Sequence, residues 1–128
     1  MKNVVISMQN TLLSESIARV LSETGDFRVE RILPGRVGDT ETVCRVSSAD
    51  VLLMEVSRMQ PFTLTERLEL AARVRDHGLR CKVALLCDEN ADADLAYRVK
   101  NARQDRLLDG FFYASVTPAY LAAAIDAL

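Results

Sequence analysis

Long apolar runs are missing from this 128-residue chain. The longest, such as Val51-Leu52-Leu53-Met54, fall far short of the ~20 residues with which a helix crosses a bilayer. The start, Met1-Lys2-Asn3, leads directly into a strand-like run without the h-region and cleavage site of a signal peptide. A surplus of one charge is missing too. Sixteen Lys and Arg and 18 Asp and Glu are mixed along the chain for a net −2, which argues against a basic nucleic-acid surface. Cysteine is scarce and odd in number: Cys44, Cys81 and Cys87 form no CxxC pair, and His77 is the single histidine. No metal or other cofactor is expected from such a set, and free thiols in a reducing cytoplasm are. No repeat, low-complexity segment or dividing linker interrupts the chain. What is present is 49% hydrophobic content, enough for one compact domain spanning residues 1–128.

The apolar residues follow two alternating periodicities. Short β-rich runs lie at Val4-Val5-Ile6, Arg28 to Leu33, Val51 to Val56, Val83 to Cys87 and Phe111-Phe112-Tyr113. Between them the spacing predicts helices. The first, about Leu12 to Thr24, carries Leu13, Ile17, Val20 and Leu21 on one face, and a short second, about Thr40 to Ser47, carries Val43 and Val46. The third, about Leu64 to Asp76, aligns Leu64, Leu68, Ala71 and Val74 and is expected to stop at Gly78 followed by Leu79. The fourth, about Ala91 to Arg103, aligns Leu95, Val99 and Ala102. The last opens with Thr117 as N-cap and Pro118 at the first helical position, then buries Leu121, Ile125 and Leu128. Five β–α units joined by helical crossovers imply an α/β fold with a doubly wound, five-stranded parallel sheet.

Four junctions carry a resemblance. Val4 to Asn10, Asp50 to Val56, Lys82 to Cys87 and Asp109 to Pro118 resemble, in order and spacing, the strands and strand ends of the receiver domain of bacterial response regulators. The last segment, an Asp-Gly strand followed by a Thr-Pro helix start, resembles receivers joined to a LuxR-type helix-turn-helix domain. The resemblance implies the CheY-like, flavodoxin-like strand order 2-1-3-4-5. It also implies a C-terminal DNA-binding domain beyond Leu128, a cytoplasmic regulator and a homodimer.

In the family, two acidic residues after the first strand and an acceptor aspartate after the third hold Mg²⁺, and a hydroxyl and a lysine complete the phosphoryl site. Here the acidic pair reads Met8 and Gln9, the acceptor Glu55, the hydroxyl position Cys87 and the lysine position Ala114. A thioether and a neutral amide suit a hard cation poorly, so phosphoryl transfer and metal binding are not expected. Glu55 reads as an exposed relic of the site or, alternatively, as an imitation of phosphorylated aspartate. As an exposed relic it would change stability by less than about 0.5 kcal/mol when converted to Gln. Asn10, Asp88 and Glu89 offer a weaker alternative cation set. Phe111 matches the family's switch aromatic, or is simply core. Cys87 reads as a small core residue rather than a redox sensor, and His77 as a surface residue near a helix end.

The segment Ser57 to Thr63 and the stretch between Cys87 and Asp109 are longer than in the family, through altered partner contacts or loop drift. These readings converge on a phosphorylation-independent regulatory and dimerisation domain that answers a protein or small-molecule signal. It is not an enzyme and does not itself bind nucleic acid or membrane. A free-standing adaptor and a phosphoacceptor with rearranged chemistry remain alternatives. Tyr120 and Ala124 on the last helix are the candidate dimer face.

Overall fold

A computed structural model describes residues 1–76 and 80–128. Among the described residues, five strands and five helices alternate: β1 (Lys2–Ser7), α1 (Thr11–Glu23), β2 (Phe27–Ile32), α2 (Thr40–Val46), β3 (Val51–Glu55), α3 (Leu64–Asp76), β4 (Lys82–Cys87), α4 (Ala93–Gln104), β5 (Gly110–Tyr113) and α5 (Pro118–Ala127). A 3₁₀ segment, Pro34–Asp39, precedes α2. All strand pairs are parallel and the order is β2-β1-β3-β4-β5, as the run of β–α units implied.

The central strands are buried on both faces because helices cover both. One core gathers Leu52, Met54, Val83 and Leu85 with Cys44 of α2, Leu70 and Val74 of α3 and Val99 of α4. The other gathers Val4, Ile6, Leu53 and Leu86 with Ile17 and Leu21 of α1 and Leu121 and Ile125 of α5. Side chains alternate between these cores along each strand, so a slip of one residue would exchange the two sets.

Helix starts follow local side-chain chemistry. Asn10 Oδ1 accepts the Leu13 N–H at 3.0 Å, Asp92 Oδ1 the Leu95 N–H at 3.0 Å, and Thr117 Oγ1 the Tyr120 N–H at 3.2 Å. The Asp92 cap explains why α4 begins at Ala93 and not near Ala91. Ala91 belongs to a turn in which Asp88 Oδ1 accepts the N–H groups of Asn90 and Ala91.

Three other expectations are corrected. Leu33 lies beyond β2 and is 55% exposed, because Pro34 turns the chain into the 3₁₀ segment. Val46 is 80% exposed, since the short α2 turns only Thr40 and Cys44 fully inward. On α3, Leu64 and Leu68 are half-buried, while Arg67, Leu70, Ala71 and Val74 face the interior. His77 and the expected stop at Gly78-Leu79 lie outside the described residues.

Candidate functional site

The C-terminal edge of the sheet is where an open α/β fold places its sites. β1 delivers Met8, Gln9 and Asn10 there, β3 Glu55, β4 Cys87 and β5 Ala114. Parallel register brings them to one edge: Glu55 lies opposite Leu86, Cys87 lies opposite Tyr113, and the Ala114 N–H donates to Cys87 O at 2.9 Å.

Their side chains do not form one site. Met8 is buried in the core under α1 and α5, and Ala114 packs against that core. Cys87 is buried in the opposite core. Burial first, then the carboxylates of Asp92, Asp88, Glu89 and Glu55, push the Cys87 thiol up to about 11, so it is uncharged at neutral pH. Phe111 is half-buried against the same core and meets Tyr113 edge-on, with ring centroids 5.6 Å apart.

Glu55 is not the exposed relic expected from the sequence. It is partly buried, and its Oε1 accepts the Gln9 N–H at 2.8 Å and the Asn10 N–H at 2.9 Å. It therefore closes the loop after β1 onto the end of β3, because two adjacent backbone donors there have no strand partner. Gln9 extends the link: its Oε1 accepts Ser57 Oγ–H at 3.0 Å and its Nε2 reaches Met59 Sδ.

Beneath this edge lies a residue the sequence reading passed over. Arg67 of α3 is 1% exposed. Its Nε donates to Glu55 O at 2.9 Å, Nη2 to Ser7 O at 3.0 Å and Nη1 to the buried Ser7 Oγ at 3.1 Å. The guanidinium also lies over the Phe62 ring, 4.9 Å from its centroid. One planar fork thus satisfies the last carbonyls of β1 and β3. Burial lowers its pKa to about 10 against the raising influence of Glu55 and Glu66, and it stays charged at neutral pH. A signal was present, since position 67 falls on the same helical stripe as Leu64, Ala71 and Val74.

Outside, a second arginine ties loops together. Arg58 Nε pairs with Asp92 Oδ2, and its Nη2 donates to Asp92 Oδ1 and Asp94 Oδ2, both at 3.1 Å. The Arg58 bond, together with the Leu95 N–H, holds the Asp92 carboxyl below its ordinary value. Glu89 and Ser115 hydrogen-bond across the β4–α4 and β5–α5 loops.

A divalent cation, which the receiver resemblance would place here, does not fit these residues. Met8 is turned into the core, the Gln9 carbonyl is occupied by Ser57, and Asp88 caps its own turn. Among the described residues no cluster of three or more His, Cys, Asp or Glu is arranged for a metal. Asn10, Asp88 and Glu89 each accept a hydrogen bond within the protein, from the Leu13 N–H, the Asn90 N–H and the Ser115 hydroxyl.

Strand order and helix placement define the fold of response-regulator receiver domains. Among solved structures, the chain is similar to the signal receiver domain of NarL from Mycobacterium tuberculosis: 23% identity over 98% of this chain and 94% of that one, with a TM-score of 0.74. It is similar to a LuxR-family DNA-binding response regulator from Staphylococcus aureus at 18% identity, 99% and 98% coverage and a TM-score of 0.76. RcsB from Salmonella enterica serovar Typhimurium, solved on promoter rprA with the phosphomimetic BeF3−, matches at 18% identity over 98% of this chain and 67% of that one, with a TM-score of 0.70. At these identities the likeness is one of fold. No protein-family model matches the chain, and no curated protein matches it.

Proposed function

We propose that this chain is a receiver-type regulatory domain that acts through protein contacts and needs no phosphoryl group. The observation that carries this reading is the Glu55–Arg67 arrangement. The acceptor position is engaged by backbone N–H groups from above, and a built-in cation holds the strand ends from below. Phosphoryl transfer needs a metal and a fixed cation facing the transferring group. Here the cation faces the interior and the metal ligands are replaced. Incubation with acetyl phosphate, or with beryllofluoride and Mg²⁺, is expected to change neither the mass nor the unfolding midpoint. A Mg²⁺-dependent adduct at Glu55 would overturn the reading.

The likeness to LuxR-family regulators, one described as DNA-binding and another seen on a promoter, supports a regulatory role beside a DNA-binding domain. The proposed assembly is a two-fold dimer through α4 and α5, set by a protein or small-molecule signal or formed constitutively. Tyr120 is 60% exposed on α5 and Ala124, one turn on, is small enough for close helix approach. Sedimentation of the wild type should give a dimer and of Ala124→Glu a monomer. A monomer in both would remove this interface.

A further inference from the structure

Lys100 and Arg103 are three residues apart on α4 and so share one face of the helix, with no carboxylate between them. The chain then turns at Arg106, whose φ is 62° and whose carbonyl accepts Arg75 Nη1 at 3.0 Å, which brings this loop against the end of α3. Arg80 precedes β4 and Lys82 opens it. Asp109 joins these elements into one surface at the N-terminal edge of the sheet. It lines one depression with Arg75, Arg80 and Lys82, and a second with Lys100, Arg103, Gly110, Phe111 and Leu128.

The Asp109 carboxylate is already engaged: its Oδ2 accepts Arg75 Nη2 at 2.9 Å and the Val83 N–H at 2.8 Å. Among the described residues, the side chains of Arg80, Lys82, Lys100, Arg103 and Arg106 are exposed and make no hydrogen bond or ion pair. Asp76 and Asp105 flank Arg75 and Arg106 in sequence, and Asp50 at the start of β3 is turned to the Asn3 N–H. Six cations against Asp76, Asp105 and Asp109 leave a surplus of three positive charges on one edge of a chain whose net charge is −2. Such a surplus attracts a polyanion. Apolar groups decide which kind. Phe111 and Leu128 line the second depression beside Gly110, where a Cβ would meet Leu128 Cδ2 at 3.3 Å, and Leu107 next to Arg106 is 47% exposed. A phosphate backbone has nothing to place against these side chains. A peptide can set carboxylates on the rim and an apolar side chain between them.

We propose that this edge is a docking surface for an acidic segment of a partner protein, one that alternates carboxylates with apolar residues. The inference rests on the reading of the domain as one that works through protein contacts, and it names the chemistry of the contact. Carboxylates pair with Arg80 and Lys82 on one side of Asp109 and with Lys100 and Arg103 on the other. An apolar side chain enters against Phe111 and Leu128. The paired heads stay at a wet rim, so they set recognition and its salt dependence. Arg80 and Lys82 stand outside α4 and α5, which separates this surface from the proposed dimer face, although Ala124 borders both.

The test titrates the folded chain into a fluorescein-labelled peptide of alternating glutamate and leucine and follows anisotropy. A Kd below about 100 μM is expected at low salt, weakening about tenfold in about 0.5 M NaCl. Arg80→Glu and Arg103→Glu should each weaken binding about fivefold or more. Arg28→Glu, the same change of charge on the opposite edge strand β2, should leave it unchanged. All three side chains are exposed, so the unfolding midpoints should match wild type. A glutamate–glycine peptide should bind about tenfold more weakly than the glutamate–leucine one. No saturation by about 1 mM protein, equal losses in Arg28→Glu, equal binding of a lysine–leucine peptide, or tighter binding of a random-sequence DNA duplex would each overturn the proposal. With no acetyl-phosphate adduct, such a result removes this surface and leaves the protein-contact reading standing. An adduct removes that reading whatever the peptide does.

Discussion

At the N-terminal edge of the sheet, Asp50 and Asp109 each accept the N–H of the second residue of the neighbouring strand: Asn3 of β1 and Val83 of β4, both at 2.8 Å. At the C-terminal edge, Glu55 accepts two N–H groups from a loop. The chemistry is the same at both ends, a carboxylate taking backbone donors that lack a ladder partner. Its effect differs with what owns the donor. A strand-start N–H fixes register, because a slip would strand the carboxylate. A loop N–H fixes the path of a segment that lies outside the strand ladder. The lower edge is thus built for alignment and the upper edge for holding loops in one arrangement.

That contrast can be broken most sharply at Arg67. Arg67→Met removes the fork from the Ser7 and Glu55 carbonyls and the Ser7 hydroxyl, so it should cost about 3 kcal/mol in urea unfolding. Arg67→Lys should recover only part of this, because an ammonium cannot reach both strand ends in one plane. A loss below about 1 kcal/mol for Arg67→Met would mean the upper edge is held by something else.

Asp109→Asn comes next, at about 1–2 kcal/mol near neutral pH. Burial alone would raise this carboxyl, but the Val83 N–H and the Arg75 pair outweigh it and hold it below its ordinary value of 3.8. A depressed carboxyl contributes stability above its unfolded value and loses it as pH falls through the folded one. The gap between wild type and Asp109→Asn should therefore be full at pH 6 and close in acid, below 3.8. A gap that persists unchanged in acid would assign the effect to packing.

Glu55→Gln keeps an acceptor for Gln9 and Asn10 but removes the charge near Arg67, and about 1 kcal/mol is expected from chemical denaturation. A loss under about 0.5 kcal/mol would return Glu55 to the status of a relic and erase the difference between the edges. The smallest effect belongs to Arg58→Ala. Its exposed pairing should leave the unfolding midpoint within measurement error while raising amide exchange in residues 57–63. A large midpoint change would show this clamp to be more than a surface contact.

How far these devices could be read beforehand depended on their range. Strands and helices were legible because each rests on contacts repeating at short spacing, as along Val51 to Met54 or Ile17 to Leu21. Errors fell where that periodicity is short or cut off: Leu33 beside Pro34, and Val46 at the end of a two-turn helix. The departures at Met8, Gln9, Glu55, Cys87 and Ala114 were readable position by position. What stands in their place was not, because Arg67 and Ser7, or Arg58 and Asp92, meet only after the chain has folded. Arg67 was hidden in plain view on an apolar stripe, where a long side chain with five donors is readily taken for a surface residue.

Asp92 carries a mechanical consequence. The same carboxylate closes the first turn of α4, through Leu95, and grips Arg58 of the loop after β3. Displacing that loop pulls on a helix cap, so the first turn of α4 is the lever through which the loop is felt elsewhere. Whatever grasps residues 57–63 would loosen or tighten one end of α4 without touching it, and exchange at the Leu95 amide is the gauge that reads the strain.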